Sequence, residues 1–150
     1  RPMDPTLRER ALRLLARREH ARAELAKKLA PHAESAAELD ALLDDLAARR
    51  LLSDARYVEM RVAARRARYG NARLAQELRA AGVAGELVES GLAAAEDELA
   101  RAREVWQRKY GNVGLPADAA GRARQTNFLM RRGFSGETIR RVLRGGHEDD

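Results

Sequence analysis

Arginine is the side chain with chemical reach that this sequence supplies in quantity. Of its 29 basic residues only Lys27, Lys28 and Lys109 are lysine. A guanidinium is a planar fork of donors that matches carboxylate or phosphate two bonds at a time. Arg56, Arg61, Arg65, Arg66, Arg68 and Arg73 crowd into the middle of the chain. Arg122, Arg124, Arg131 and Arg132 form a second group, and Arg140, Arg141 and Arg144 a third. From these, Arg56, Arg61, Arg65, Arg66, Arg68, Arg73, Arg124, Arg131 and Arg132 are the candidate contacts to phosphate or to an acidic protein surface. The plain alternative is a solvated helix exterior in an Ala- and Arg-rich chain. Aromatic residues do not interleave with the arginines in sequence, as a platform for stacking single-stranded bases requires. Tyr57, Trp106, Phe128 and Phe134 are expected in the core instead.

Catalytic groups do not converge. His20, His32 and His147 stand far apart, and none has a second ligand at a metal-motif spacing. Ser53 and Ser135 precede helical runs, where a serine oxygen caps free amides. Asp44-Asp45 reads as a solvated helix face. Gly111 and Gly114 lack the lysine and following helix of a phosphate loop. There is no cysteine, hence no disulfide and no thiolate metal site, which fits a reducing compartment. The expectation is a protein that is not an enzyme and carries no cofactor or metal. No apolar run approaches the roughly 20 residues that span a bilayer, and no signal peptide is visible. A chain starting at Arg1 is expected to have lost a native N-terminal tail.

The elements that must position the arginines are helices. Alanine, leucine, arginine and glutamate dominate, and no run alternates with period two. Asp4-Pro5 is expected to open a first helix to about Arg18, with Leu7, Ala11, Leu14 and Leu15 inward. Arg22 to Ala30 follows, stopped by Pro31. Ser35 and Glu38 make a capping box for a helix to about Arg50, with Leu39, Leu42, Leu43 and Leu46 on one side. A long helix from Asp54 to Tyr69 buries Val58 and Val62 and turns Arg61, Arg65 and Arg68 outward together; Arg65 and Arg68 are expected to be exposed. Gly70 and Gly82 bracket a shorter helix. Further helices cover about Gly85 to Ala95, Glu96 to Tyr110, Asp118 to Arg131, and the residues after Ser135 up to Gly145-Gly146.

Charge comes in blocks. Residues 1–33 carry net +5, 34–48 net −5, 49–79 net +6, 80–98 net −5, 99–144 net +8, and the tail His147-Glu148-Asp149-Asp150 net −3. Such zoning suits an elongated, electrostatically patterned partner. The chain also repeats. Leu78, Gly82, Val83, Glu86, Val88 and Leu92 recur as Leu129, Gly133, Phe134, Glu137, Ile139 and Leu143, every pair 51 apart. Glu24-Leu25 falls on Glu77-Leu78 at an offset of 53. The expected fold is all-α: three tandem three-helix repeats at 4–50, 53–95 and 96–144, forming an elongated, curved molecule, with a disordered tail at 145–150.

Four pieces in order carry a resemblance. They are Leu15-Ala-Arg-Arg-Glu-His-Ala-Arg-Ala-Glu-Leu25, Leu51-Leu-Ser-Asp-Ala-Arg-Tyr57, Arg68-Tyr-Gly-x-x-Arg-Leu-x-x-Glu-Leu-x-x-x-Gly-Val83 and Phe128-Leu-x-x-Arg-Gly-Phe-Ser135. Together they resemble the RecX regulatory proteins over about Ala11 to Leu143, with Ala21 standing where that family often has a capping serine. The resemblance implies a bacterial cytoplasmic modulator of the RecA recombinase. Such a protein lies on RecA–DNA filaments and limits their extension, ATP hydrolysis, strand exchange and SOS co-protease activity. It also implies weak, sequence-independent DNA contact, no membrane partner, and a monomer. Two further readings remain from the residues themselves: a general DNA-binding helical protein, and a protein–protein adaptor without DNA contact.

Overall fold

The computed structural model describes residues 3–94 and 97–145. His147, Glu96 and the tail at 146–150 lie outside the described residues. Among those described there are nine α-helices and no strand: α1 Leu7–Arg17, α2 Arg22–Leu29, α3 Ala36–Ala48, α4 Asp54–Arg65, α5 Asn71–Ala80, α6 Gly85–Ala94, α7 Glu98–Tyr110, α8 Ala119–Arg131 and α9 Gly136–Leu143. A 3-10 turn, Ala30–His32, carries Pro31 after α2. The all-helical expectation is borne out.

Side-chain oxygens set most starts. Thr6, not Asp4, caps α1: its hydroxyl accepts from the Glu9 amide at 3.1 Å while Glu9 accepts from Thr6 N–H at 3.0 Å. Asp4-Pro5 lies one step too early for that reciprocal pair. Ser35 accepts from Glu38 N–H at 3.0 Å, but the Glu38 carboxylate reaches past Ser35 to the Glu34 amide at 2.7 Å. Ser53, Asp118 and Ser135 cap α4, α8 and α9. Ala21 has no oxygen to offer α2, and two carboxylates compensate. Glu24 accepts from Ala21 N–H at 3.3 Å, and Asp54, from the start of α4, accepts from Arg22 N–H at 2.7 Å. An amide of a helix's first turn left without a partner would weaken the helix by about 1 kcal/mol.

The chain divides into two compact units. Unit 1 is Arg1–Arg61 with Leu78–Val88, and unit 2 is Val62–Glu77 with Glu89–Asp150. In unit 1, α2 packs on α1 and α3. Its core joins Ala11, Leu25, Leu29, Leu39, Leu42, Leu43, Leu46 and Leu52. In unit 2, α9 packs on α7 and α8 around Ala102, Val105, Leu129, Phe134, Ile139, Val142 and Leu143. Tyr57 and Phe134 are buried as expected, but Trp106 and Phe128 are only half-buried. The branched aliphatic residues and Phe134 close the unit 2 core, which leaves both rings packed at its rim.

The 51-residue offset is visible in the backbone. Val83 N–H bonds the Leu78 carbonyl at 3.1 Å, and Phe134 N–H bonds the Leu129 carbonyl at 3.2 Å. Gly82 and Gly133 take φ of 87° and 93° in those turns, a region open to glycine and strained for other residues. Leu78 and Leu129 are both fully buried.

Candidate functional site

The helix expected to reach Tyr69 stops at Arg65, and the reason lies in unit 2. Residues 66–69 form a turn whose carbonyls point at cations. Arg101 on α7 donates to the carbonyls of Arg66 and Tyr69, both at 2.9 Å, and to Asn71 Oδ1 at 3.1 Å. Arg108, two turns along α7, donates to the Ala67 carbonyl at 2.7 Å. Arg132, at the end of α8, donates to the Arg68 carbonyl at 3.0 Å. Four successive carbonyls at the end of α4 thus have guanidinium partners, the arrangement that the negative end of a helix favours. Arg101 is 6% exposed. Burial lowers its pKa from the ordinary arginine value, with the Arg66 charge acting in the same direction; an arginine stays protonated regardless.

Beyond the turn, Gly70 N–H bonds the Arg132 carbonyl at 2.7 Å and Ala72 N–H bonds the Gly133 carbonyl at 3.1 Å. Glu98 accepts from Asn71 N–H at 2.9 Å and from the Thr138 hydroxyl at 2.9 Å. The first turn of α5 is thereby docked on the end of α8. A side chain at Gly70 would place its Cβ 2.6 Å from the Phe134 nitrogen, so this approach requires glycine.

This docking gathers cations and rings. The Arg65 and Arg73 guanidiniums lie 4.5 and 4.4 Å from the Tyr69 ring centre, and Arg132 lies 5.5 Å from it. Arg132 is also 5.0 Å from the Phe128 ring, with Lys109 at 5.5 Å. Phe128 meets Tyr110 edge-on at 5.6 Å, and Tyr110 continues to Trp106 at 6.5 Å. Each cation over a ring contributes about 0.5–1 kcal/mol where solvent reaches it. Next to the Phe128 ring lies a crevice of about 250 Å³, lined by Arg68, Val105, Arg108, Lys109, Phe128 and Arg132. It has four cations and no carboxylate. Among the described residues no acidic side chain pairs with Arg68, Arg108, Lys109 or Arg132.

The sequence-predicted arginines therefore separate. Arg65 is not free on the outer face. It is half-buried and its Nε lies 2.7 Å from Glu77, whose hydrogen bond holds the Arg65 pKa above its usual value. Arg73 pairs with the same carboxylate at 3.3 Å and donates to the Arg131 carbonyl at 3.2 Å. Glu77 sits one turn from Arg73 and reaches Arg65 only because α5 folds back beside the end of α4. Arg66 is half-buried, and Arg68, Arg124 and Arg131 are exposed. Arg56 and Arg61 belong to unit 1; both are half-buried, and Arg56 pairs with Glu19 at 2.9 Å. Asp44 and Asp45 in unit 1 are likewise not merely solvated, since they pair with Arg22 at 2.8 Å and Arg8 at 2.6 Å.

Sequence reasoning missed Arg101, Arg108, Lys109 and Tyr69. The run Arg108-Lys109-Tyr110 is a basic pair beside an aromatic, a signal available in the sequence. Nothing local marks Arg101 as buried. Among the described residues no cluster of histidine, aspartate and glutamate fits a metal ion, and no helix is long and apolar enough to cross a membrane.

Comparison with known proteins agrees along the chain. Residues 53–92 match the family described as RecX, second three-helix domain, and residues 96–143 match RecX, third three-helix domain. The chain is 52% identical to the Regulatory protein RecX of Leptothrix cholodnii over 97% of its own length and 92% of that protein. It is 47% identical to the Regulatory protein RecX of Chromobacterium violaceum over 97% and 93%. The fold is similar to the crystal structure of RecX from Lactobacillus salivarius, with a TM-score of 0.77, 18% identity and 92% of both chains covered.

Proposed function

The chain belongs to the RecX family, and from that premise we propose that it regulates the RecA recombinase. It binds RecA and RecA–DNA filaments in the bacterial cytoplasm as a monomer. By occupying filament surface it limits extension, and with it ATP hydrolysis, strand exchange and SOS co-protease activity. It does so by contact alone, without catalysis or cofactor. The contact surface is the arginine–aromatic face of unit 2, with Arg68, Arg108, Lys109, Arg131 and Arg132 meeting DNA phosphate or acidic RecA surface. Arg65 and Arg73, already shared by Glu77, hold the Tyr69 ring in place.

The observation that carries this reading is the crevice beside Phe128, where four cations converge without a neutralising carboxylate. Four like charges held this close repel one another, and an anionic partner relieves that repulsion. The test is the DNA-dependent ATPase of RecA with and without this protein. The wild-type chain is expected to inhibit. A double Arg68→Glu, Arg131→Glu variant, altering two exposed residues, is expected to keep its helix content and to lose inhibition. Absence of inhibition by the wild-type chain at every ratio would defeat the proposal.

The same cations favour one second reading, a general nucleic-acid binder. Strong, steeply salt-dependent DNA binding with no effect on RecA would select it.

A further inference from the structure

Unit 1 holds a second basic groove that the candidate site does not include. It lies against α1, α2 and the turn after α2, encloses about 400 Å³, and is lined by Leu14 and Leu29 together with Arg10, Arg13, Arg17 and Lys28. His32 lines it too. No carboxylate lines it. Arg10, Arg13 and Arg17 occupy positions i, i+3 and i+7 of α1, which makes one stripe on one face. At 1.5 Å per residue the stripe is about 10 Å long, long enough to face neighbouring phosphates of one strand.

Their neighbours show that neutralisation was available. Arg8, on the same helix, pairs with Asp45 at 2.6 Å, and Arg22 pairs with Asp44 at 2.8 Å. Arg18 pairs with Glu24. Among the described residues no acidic group pairs with Arg10, Arg13 or Arg17. Lys28 Nζ lies 2.9 Å from His20 Nε2 and 3.9 Å from Glu24, so it is partly neutralised, unlike the three arginines.

We infer that this groove is a nucleic-acid phosphate site. Arg10, Arg13 and Arg17 each hold a phosphate of one strand, Lys28 adds a charge partly offset by Glu24, and the half-buried Leu14 offers an apolar edge to a sugar. The inference deepens the DNA half of the proposed function, and rests on that half alone. The groove lets the chain hold DNA where no RecA is present.

The experiment is fluorescence anisotropy of a labelled 20-nucleotide thymidine oligomer, without RecA, titrated with salt. Replacing Arg10, Arg13 and Arg17 together by glutamine is expected to weaken binding roughly tenfold or more at low salt. It should also flatten the slope of log affinity against log salt by about 2, since each single-strand contact contributes roughly 0.7. Arg13→Gln alone, at an exposed position, should flatten it by about 0.7 with the melting curve unchanged, so a folding defect in the triple variant does not close the test. The triple lysine variant keeps the charges and should keep the slope. Unchanged affinity and slope in the glutamine variants would overturn the inference. Loss of RecA inhibition with intact oligomer binding would also overturn it, because an acidic protein surface would then be the occupant. A wild-type chain that binds the oligomer through this groove yet leaves RecA unaffected would sink the regulatory reading and leave this one standing.

Discussion

In unit 1, Arg8, Arg18, Arg22, Arg49 and Arg56 each face a carboxylate. In unit 2, Arg65 and Arg73 share the one carboxylate of Glu77, while Arg101, Arg108 and Arg132 face backbone carbonyls and Arg132 also faces the Tyr69 and Phe128 rings. The residue type is the same and the employment differs. A guanidinium on a carboxylate is neutralised and presents little to a partner. A guanidinium on a carbonyl or a ring keeps its full charge while its position is fixed. Unit 2 therefore assembles held, positive groups around Arg101, Arg108 and Arg132, whereas unit 1 commits five arginines to carboxylates and leaves the α1 stripe over.

The sharpest way to break this comparison is at Gly133. Its φ of 93° and the Arg73 nitrogen 2.7 Å from a would-be Cβ leave no space for alanine. Gly133→Ala is expected to destabilise unit 2 by on the order of 3 kcal/mol in chemical denaturation. Gly82→Ala, at the matching turn, meets the Ala23 methyl at 2.6 Å, a clash with one side chain rather than with backbone, and should be the milder of the two. Equal losses would mean the Gly133 turn is not specially confined.

Next comes Arg101→Met. The variant keeps the side chain's apolar length but strands the carbonyls of Arg66 and Tyr69, at a cost of about 2–3 kcal/mol. Amide exchange should quicken first in residues 66–72. Exchange that stays slow there would show that the turn does not depend on its cationic ties.

A smaller effect compares the ion pairs themselves. A double-mutant cycle of Arg65→Gln with Glu77→Gln should give a coupling of about 1 kcal/mol, because both partners are largely shielded. The Arg56 and Glu19 pair in unit 1 is more open to water and should give about 0.5 kcal/mol or less. Reversal of that order would remove the distinction between shielded and solvated pairing.

The smallest expected effect is with acid. His20 is 2% exposed, with Nδ1 at 3.1 Å from the Arg18 carbonyl. Burial lowers its pKa, and the Arg18 and Lys28 charges add to this against the carbonyl bond and Glu24. The folded ring favours its neutral form, so below about pH 6.5 the unfolded chain binds the extra proton first. Stability should then fall as pH drops through that value, until the folded ring titrates too. Glu24 adds a loss at lower pH: burial alone would raise its carboxyl, but the bonds from Arg18 and Ala21 outweigh that and hold it low. Residue-resolved melting by NMR between pH 7.5 and pH 5 should show unit 1 weakening first. A uniform response would contradict this.

Much of the fold was legible because its signals are local. Ser35, Ser53 and Ser135 cap as short side-chain oxygens ahead of helical runs do, and Leu39, Leu42, Leu43 and Leu46 are buried, while Leu7, Leu14 and Leu15 are half-buried at the edge of the same core. Gly82 and Gly133 turn where only glycine is unstrained. Less of the candidate site was legible. Arg68, Arg124 and Arg131 are exposed as expected, but Arg65 reads on the helix surface as outward and is claimed by Glu77, 12 residues on.

The sequence by itself determined the helices and most of their starts, since these depend on interactions within one or two turns; the starts of α2 and α5 are the exceptions, met by Asp54 and Glu98 from 32 and 27 residues away. Only the tertiary structure decided where α4 ends and which charges are neutralised. Arg101, Arg108 and Arg132 reach the 66–69 carbonyls across 32 to 64 residues of chain. Electrostatic pairing depends on distance in space, and no helical period encodes that.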